Sequence, residues 1–173
     1  AMKNIFFIII FFPLLTLARD IGQTEITTEE GIEVYQKEKY YLLKNNVKIT
    51  SDTFELSADL VKAFFEIDLY DIQSIESEGN VKFKSAEGNE VIGEKLYFST
   101  KENKIYVYGI NSLISMKNLK MKSDISIKID DIEGAFDLEG KSSELQTDNL
   151  LIIGNTINGN YIKTEDGNEI VNL

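Results

Sequence analysis

The four residues Asn46-Val47-Lys48-Ile49 return 34 residues later as Asn80-Val81-Lys82-Phe83. In both copies apolar side chains flank a lysine. A period of two is the spacing of a strand with one buried face. Each copy opens a similar run of short alternating segments. Downstream, Ile105 and Val107 flank Tyr106, Ile125, Ile127 and Ile129 alternate with Ser126 and Lys128, and Phe136 and Leu138 flank Asp137. Residues 56–65 (LSADLVKAFF) also fit a short helix, but the strand-like neighbours and the repeat favour a strand there.

Between the alternating runs stand clusters of Gly, Asn, Asp and Ser. They include Asn45-Asn46, Glu78-Gly79-Asn80, Glu87-Gly88-Asn89, Glu139-Gly140, Gly154-Asn155 and Asn158-Gly159-Asn160. Gly and Asn tolerate positive φ, which tight hairpins need, so each cluster is expected to be a turn. On that reading residues 31–165 hold about fifteen short strands. Leu60 lies 13 residues after Val47, and Leu96 lies 15 after Val81. The difference of two is assigned to the Ser85–Glu90 turn, where it keeps every side chain on its face. Weaker units start near Leu113-Ile114 and Ala135-Phe136. A strand unit that cannot bury its own apolar face must stack on its neighbours. So long a sheet must roll or fold over into a jelly roll, a barrel or a folded sheet. The fold class is therefore all-β.

Composition narrows the chemistry. The 173 residues contain no His, Cys or Trp, so most nucleophile, proton-shuttle and metal-ligand arrangements are excluded, as are disulfides. The net charge of -11 argues against a nucleic-acid partner. Acidic pairs such as Asp130-Asp131 and Glu29-Glu30 suit a solvated surface better than calcium or glycosidase chemistry, because no calcium-loop spacing and no phosphate-binding glycine motif occurs. The chain is read as a non-enzyme with no cofactor and no metal.

Residues 1–18 have the form of a secretory leader: Lys3, an apolar run from Ile5 to Leu17, and small residues in Thr16-Leu17-Ala18. A helix over that run reaches roughly 20 Å, short of a hydrocarbon core of roughly 30 Å, which favours a cleaved leader over a retained anchor. The expected organisation is a leader at 1–18, a polar lead-in at 19–30, one domain at 31–165 and a tail at 166–173.

At Glu78-Gly79-Asn80-Val81-Lys82-Phe83, Glu87-Gly88, Gly93-Glu94-Lys95-Leu96-Tyr97-Phe98 and Lys104-Ile105-Tyr106-Val107-Tyr108-Gly109 the sequence resembles the OstA-like domain of periplasmic lipopolysaccharide-transport proteins, most closely their soluble bridge member. The resemblance covers roughly residues 30 to 110 and is carried further only by strand rhythm. It implies a long antiparallel sheet rolled into an open, V-shaped β-jelly roll built from repeated strand units. It implies a periplasmic location, lipopolysaccharide acyl chains held in the apolar interior, and subunits joined head to tail by strand pairing. The implied partners are lipopolysaccharide itself, a membrane-anchored export partner at the inner membrane and the outer-membrane insertase. Family members carry no catalytic residues.

Alternation gives the inward candidates for acyl contact: Val47, Ile49, Phe54, Leu56, Val81, Phe83, Leu96, Phe98, Ile105, Val107, Met116, Ile127, Ile129, Phe136 and Leu138. The same residues would equally fill an ordinary closed core. Residues 95–128 hold seven lysines against two acids, and Lys117, Lys120 and Lys122 are candidates for head-group contact at the groove mouth, the alternative being a solvated strand face. The sheet edges are expected at Ile32 to Tyr35 and at Asn160 to Lys163. Two alternative functions stand beside the bridge: a membrane-anchored partner of the same export system, and an unrelated exported structural β-sandwich.

Overall fold

The computed structural model describes residues 24–67 and 71–173. The leader expected at residues 1–18 lies outside the described residues. Thirteen strands follow in order: β1 (Glu25–Thr27), β2 (Ile32–Tyr35), β3 (Tyr40–Thr50), β4 (Phe54–Phe65), β5 (Ile72–Ser85), β6 (Glu90–Ser99), β7 (Lys104–Tyr108), β8 (Ser112–Met116), β9 (Leu119–Ser123), β10 (Ser126–Asp130), β11 (Ala135–Gln146), β12 (Leu151–Thr164) and β13 (Gly167–Asn172). All join one antiparallel sheet, running from β1 and β2 on β3, through β4, β5 and β6, to β11, β12 and β13. Between β6 and β11 the path divides, one branch through β7 and β10, the other through β8 and β9. The protein is all-β, a long antiparallel sheet folded over as a jelly roll. The segment with a helical alternative is β4.

The repeated Asn-Val-Lys step has a structural cause. Asn45 and Asn46 both have positive φ (60° and 46°), as do Gly79 and Asn80 (82° and 48°). Asn45-Asn46 together oppose the single residue Asp59, because Lys44 pairs with Leu60 and Val47 with Ala58. Gly79-Asn80 likewise oppose Glu94. Each is a β-bulge, which bends a strand and increases its twist. In both copies the repeated Val is the first residue to rejoin the ladder.

The bulges line up with other breaks. The gaps between β1 and β2, between β7 and β8 and between β9 and β10 fall beside them, as does the irregularity at 140–142 of β11 opposite Asn155. Lateral hydrogen bonds tie the line together: Glu29 N–H to Asn45 O (3.0 Å), Asn80 Nδ2 to Asp59 Oδ2 (3.0 Å), Gly109 N–H to Ile125 O (3.0 Å) and Lys141 N–H to Asp124 Oδ1 (2.8 Å). The Asn45 and Asn46 side chains also donate to Glu30 and Glu29. This seam crosses the whole sheet and divides it into two leaves. The first leaf contains β1, β8, β9 and one half of each long strand. The second contains β2, β7, β10, β13 and the other halves.

Several expectations are corrected here. Asn45-Asn46, Gly79-Asn80, Glu139-Gly140, Gly154-Asn155 and Asn158-Gly159-Asn160 lie inside strands, so within residues 31–165 eleven strands, six of them long, replace the fifteen short ones. The repeat differs by one residue, since Val47 pairs with Ala58 and Val81 with Gly93. Leu96 is the counterpart of Val61 and not of Leu60. Partners across a hairpin share a face whatever the turn length, so the odd residue flips nothing. Residues 167–172 form a strand where a tail was expected, and β13 covers Asn160 to Lys163, which therefore are no edge.

Candidate functional site

The inward faces carry three rows of side chains, each nine strands wide. In the first leaf, cross-strand pairing runs Ile26, Ile49, Leu56, Phe83, Val91, Ile114, Met121, Leu145, Ile152. In the second leaf, the row nearest the seam runs Ile32, Leu43, Val61, Ser77, Leu96, Val107, Ile127, Leu138, Ile157. The row beyond it runs Val34, Tyr41, Ala63, Ile75, Phe98, Ile105, Ile129, Phe136, Gly159. Cross-strand neighbours of this kind are the unit of sheet stabilisation. Here they also make a continuous apolar lining along the sheet.

All the residues proposed from alternation lie on these faces. Val47, Ile49, Phe54, Leu56, Val81 and Phe83 belong to the first leaf, with Met116 half-buried at its tip. Leu96, Phe98, Ile105, Val107, Ile127, Ile129, Phe136 and Leu138 belong to the second. All are part of one cluster or pack against it. Phe98 reaches across from the second leaf to Phe83 (ring centroids 4.9 Å apart) and Phe54 (5.7 Å), so the two apolar faces meet. The interior is packed: Val47, Ile49, Leu56, Val107, Ile127 and Leu138 are each at most 1% exposed. Two shallow depressions, of about 400 and 340 Å³, lie against outward side chains, around Lys62, Glu76 and Tyr97 and around Lys48, Lys82 and Ile92.

Alternation missed Tyr41, Leu43, Val61, Ile75, Val91, Ile114 and Leu145. A phase slip at the seam hid Val61, Val91 and Leu145, whereas Tyr41, Leu43 and Ile75 keep the phase of Val47 and Val81 across their bulges. Inward residues of β4 are 54, 56 and 58, then 61, 63 and 65, because Asp59 and Leu60 both turn away from the core. In β6 the step from Gly93 to Leu96 repeats this across Glu94 and Lys95. A lone acid after an alternating run was the available signal.

Among the described residues, the far tips of the two leaves are joined by hydrogen bonds at one place. Asn118, in the β8–β9 turn, donates from Nδ2 to Asp166 O (2.6 Å). Asn168, at the start of β13, donates to Lys117 O from its backbone N–H (3.2 Å) and from Nδ2 (2.9 Å). Gly167 has φ of 137°, and a Cβ there would meet Asn118 Nδ2 at 2.4 Å, so the approach requires glycine. These contacts form a clasp across the mouth between the leaves.

Lys117 sits at that mouth, through its backbone carbonyl. Lys120 and Lys122 are exposed on the outer face of β9, and the structure does not bring them to the interior. Lys128 stands over the Tyr106 ring at 5.7 Å and Lys62 over Tyr40 at 5.1 Å, both outside. Burial pushes the Tyr41 phenol upward, and burial followed by the hydrogen bond to Asp131 (2.5 Å) does the same for Tyr161. Asp131 also holds Lys163 at 2.6 Å. Among the described residues no group of Asp and Glu side chains is arranged to hold a metal ion.

One member of these rows is a serine. Ser77 is 4% exposed, and among the described residues its hydroxyl has no hydrogen-bond partner.

The fold is similar to that of a solved structure described as LptH, the LptA-homologous periplasmic component of the conserved lipopolysaccharide transport device from Pseudomonas aeruginosa. The likeness has a TM-score of 0.53 at 10% identity and covers 63% of this chain and 76% of that one. No protein-family model and no curated protein sequence matches the chain. The shared property is the fold, a jelly roll of long antiparallel strands.

Proposed function

We propose that this chain is a periplasmic lipopolysaccharide-binding bridge protein, which receives acyl chains between its two leaves and passes the lipid from inner to outer membrane. The observation that carries the reading is the set of apolar rows spanning nine strands, on a fold similar to that of a lipopolysaccharide-transport component. Acyl chains need continuous apolar surface and few polar groups, and the rows provide it. The sequence resemblance at 78–109 points the same way. Its partners would be the membrane-anchored export component and the outer-membrane insertase, with copies joining head to tail through free sheet edges. It would work without catalysis or cofactor. Among the described residues, the available edges are β1 and β2 at one end, and β13 with the unpaired side of residues 151–159 of β12 at the other.

Because the interior is packed, acyl chains must enter by separating the leaves. The test is equilibrium binding of purified lipopolysaccharide and of the same molecule stripped of its acyl chains. Binding of the first and not the second supports the reading. A second reading, a closed structural β-sandwich, is favoured by the near-complete burial of the core. That protein would bind neither.

A further inference from the structure

We infer that Ser77 is a specificity position: its hydroxyl pairs with an oxygen part-way along a bound acyl chain, such as a chain hydroxyl. The inference rests on the acyl-carrying reading above. Ser77 is the one polar residue in a row whose other eight members are apolar, with Val61 and Leu96 as its cross-strand neighbours. Valine or alanine would satisfy strand and core alike at such a position.

Four of the other five buried serines have structural uses; the fifth, Ser126, opens β10 beside the seam. Ser99 Oγ accepts from Glu102 N–H, Ser112 Oγ donates to Gly109 O, Ser123 Oγ to Glu139 O and Ser143 Oγ to Asn155 O. These four stand at turns or on the seam. Ser77 stands within β5, two residues before its bulge, and its Oγ is the buried side-chain polar atom without a partner among the described residues. A buried hydroxyl left unpaired is destabilising, so its presence in an apolar row marks a point where a partner arrives from outside the chain. Within a lining made for hydrocarbon, that partner is a polar atom carried on a mostly apolar ligand. A ligand without that atom leaves the hydroxyl unpaired, which is how a single buried polar group discriminates.

The experiment compares binding of β-hydroxymyristate and myristate by the wild type, Ser77→Thr and Ser77→Val. Threonine and valine have the same shape and differ in the hydroxyl. Thermal melts check that each variant folds, with Ser77→Ala as a smaller replacement. The wild type and Ser77→Thr are expected to prefer the hydroxylated chain about fivefold, the worth of one neutral hydrogen bond. Ser77→Val and Ser77→Ala are expected to lose that preference and to melt no lower than the wild type. Equal binding of the two chains by the wild type, or a preference retained in Ser77→Val, overturns the inference while acyl carriage stands. If the wild type binds neither fatty acid nor lipopolysaccharide, both fall.

Discussion

At the scale of single residues, the fold turns on positions where the backbone leaves the usual strand conformation. Gly79 has φ of 82°, and a Cβ there would lie 2.4 Å from the Asp59 carboxylate. Gly88, in the β5–β6 turn, has φ of 93° with open space around it. Gly79→Ala therefore combines backbone strain with a clash and is expected to lose roughly 2–3 kcal/mol, against about 1 kcal/mol for Gly88→Ala, measured by urea denaturation. Tyr161 gives a pH test. Its phenol titrates above the ordinary value of 10.0 because it is buried and then because it donates to Asp131. A group raised in this way contributes stability in full below its unfolded pKa and loses it as pH rises through the folded one. Wild-type stability is thus expected to fall above about pH 10, and Tyr161→Phe should fall less steeply while losing about 1 kcal/mol at neutral pH with its hydrogen bond. Denaturation across an alkaline pH series measures both.

At the scale of elements, the sequence displayed the strands and hid the seam. Period two around Val47, Val81, Ile105, Ile127 and Phe136 placed each of these residues on the correct face. Asn-Asn and Gly-Asn, however, satisfy a turn and a bulge equally well, since both need positive φ. Local chemistry alone therefore split long strands into short ones. The slip at Asp59 and Glu94 is marked in each strand only by a lone acid, and its size is fixed by the register of the neighbouring strands. The two edges were unequally legible: β2 was expected as an edge because it opens the domain, whereas residues 167–172 form a strand that a polar, weakly patterned terminus did not announce. The clasp between that turn and the β8–β9 turn is testable because the chain has no cysteine. The double substitution Lys117→Cys with Asn168→Cys should form a single disulfide across the mouth. Under oxidising conditions it is expected to raise the melting temperature and block lipopolysaccharide uptake, and reduction should restore uptake. Unchanged uptake in the oxidised form would place lipid entry elsewhere on the mouth.

At the scale of the whole molecule, one apolar interior serves both stability and the proposed binding. The rows must cohere well enough to hold a fold without disulfides, yet, on the proposed function, part along the mouth when lipid arrives. A seam of bulges, with its breaks in ladder pairing, is a natural line for such movement, because fewer backbone hydrogen bonds resist a change of angle there. Leu151 and Ile153, 57% and 64% exposed, lie on the stretch of β12 whose outer edge is unpaired among the described residues. Lysine on an exposed edge opposes strand addition. Leu151→Lys with Ile153→Lys is therefore expected to abolish concentration-dependent assembly in sedimentation experiments while leaving the melting temperature within a few degrees of wild type. The most direct measurement of the central claim is photo-crosslinking to lipopolysaccharide with a probe placed in turn at Phe83, Phe98 and Ile127, and at the outward Lys82 and Lys128. Acyl carriage between the leaves predicts crosslinks from the three inward positions and none from the two lysines. Folded protein that gives no inward crosslink, or gives as much from the lysines, would contradict it and leave the interior as a closed core.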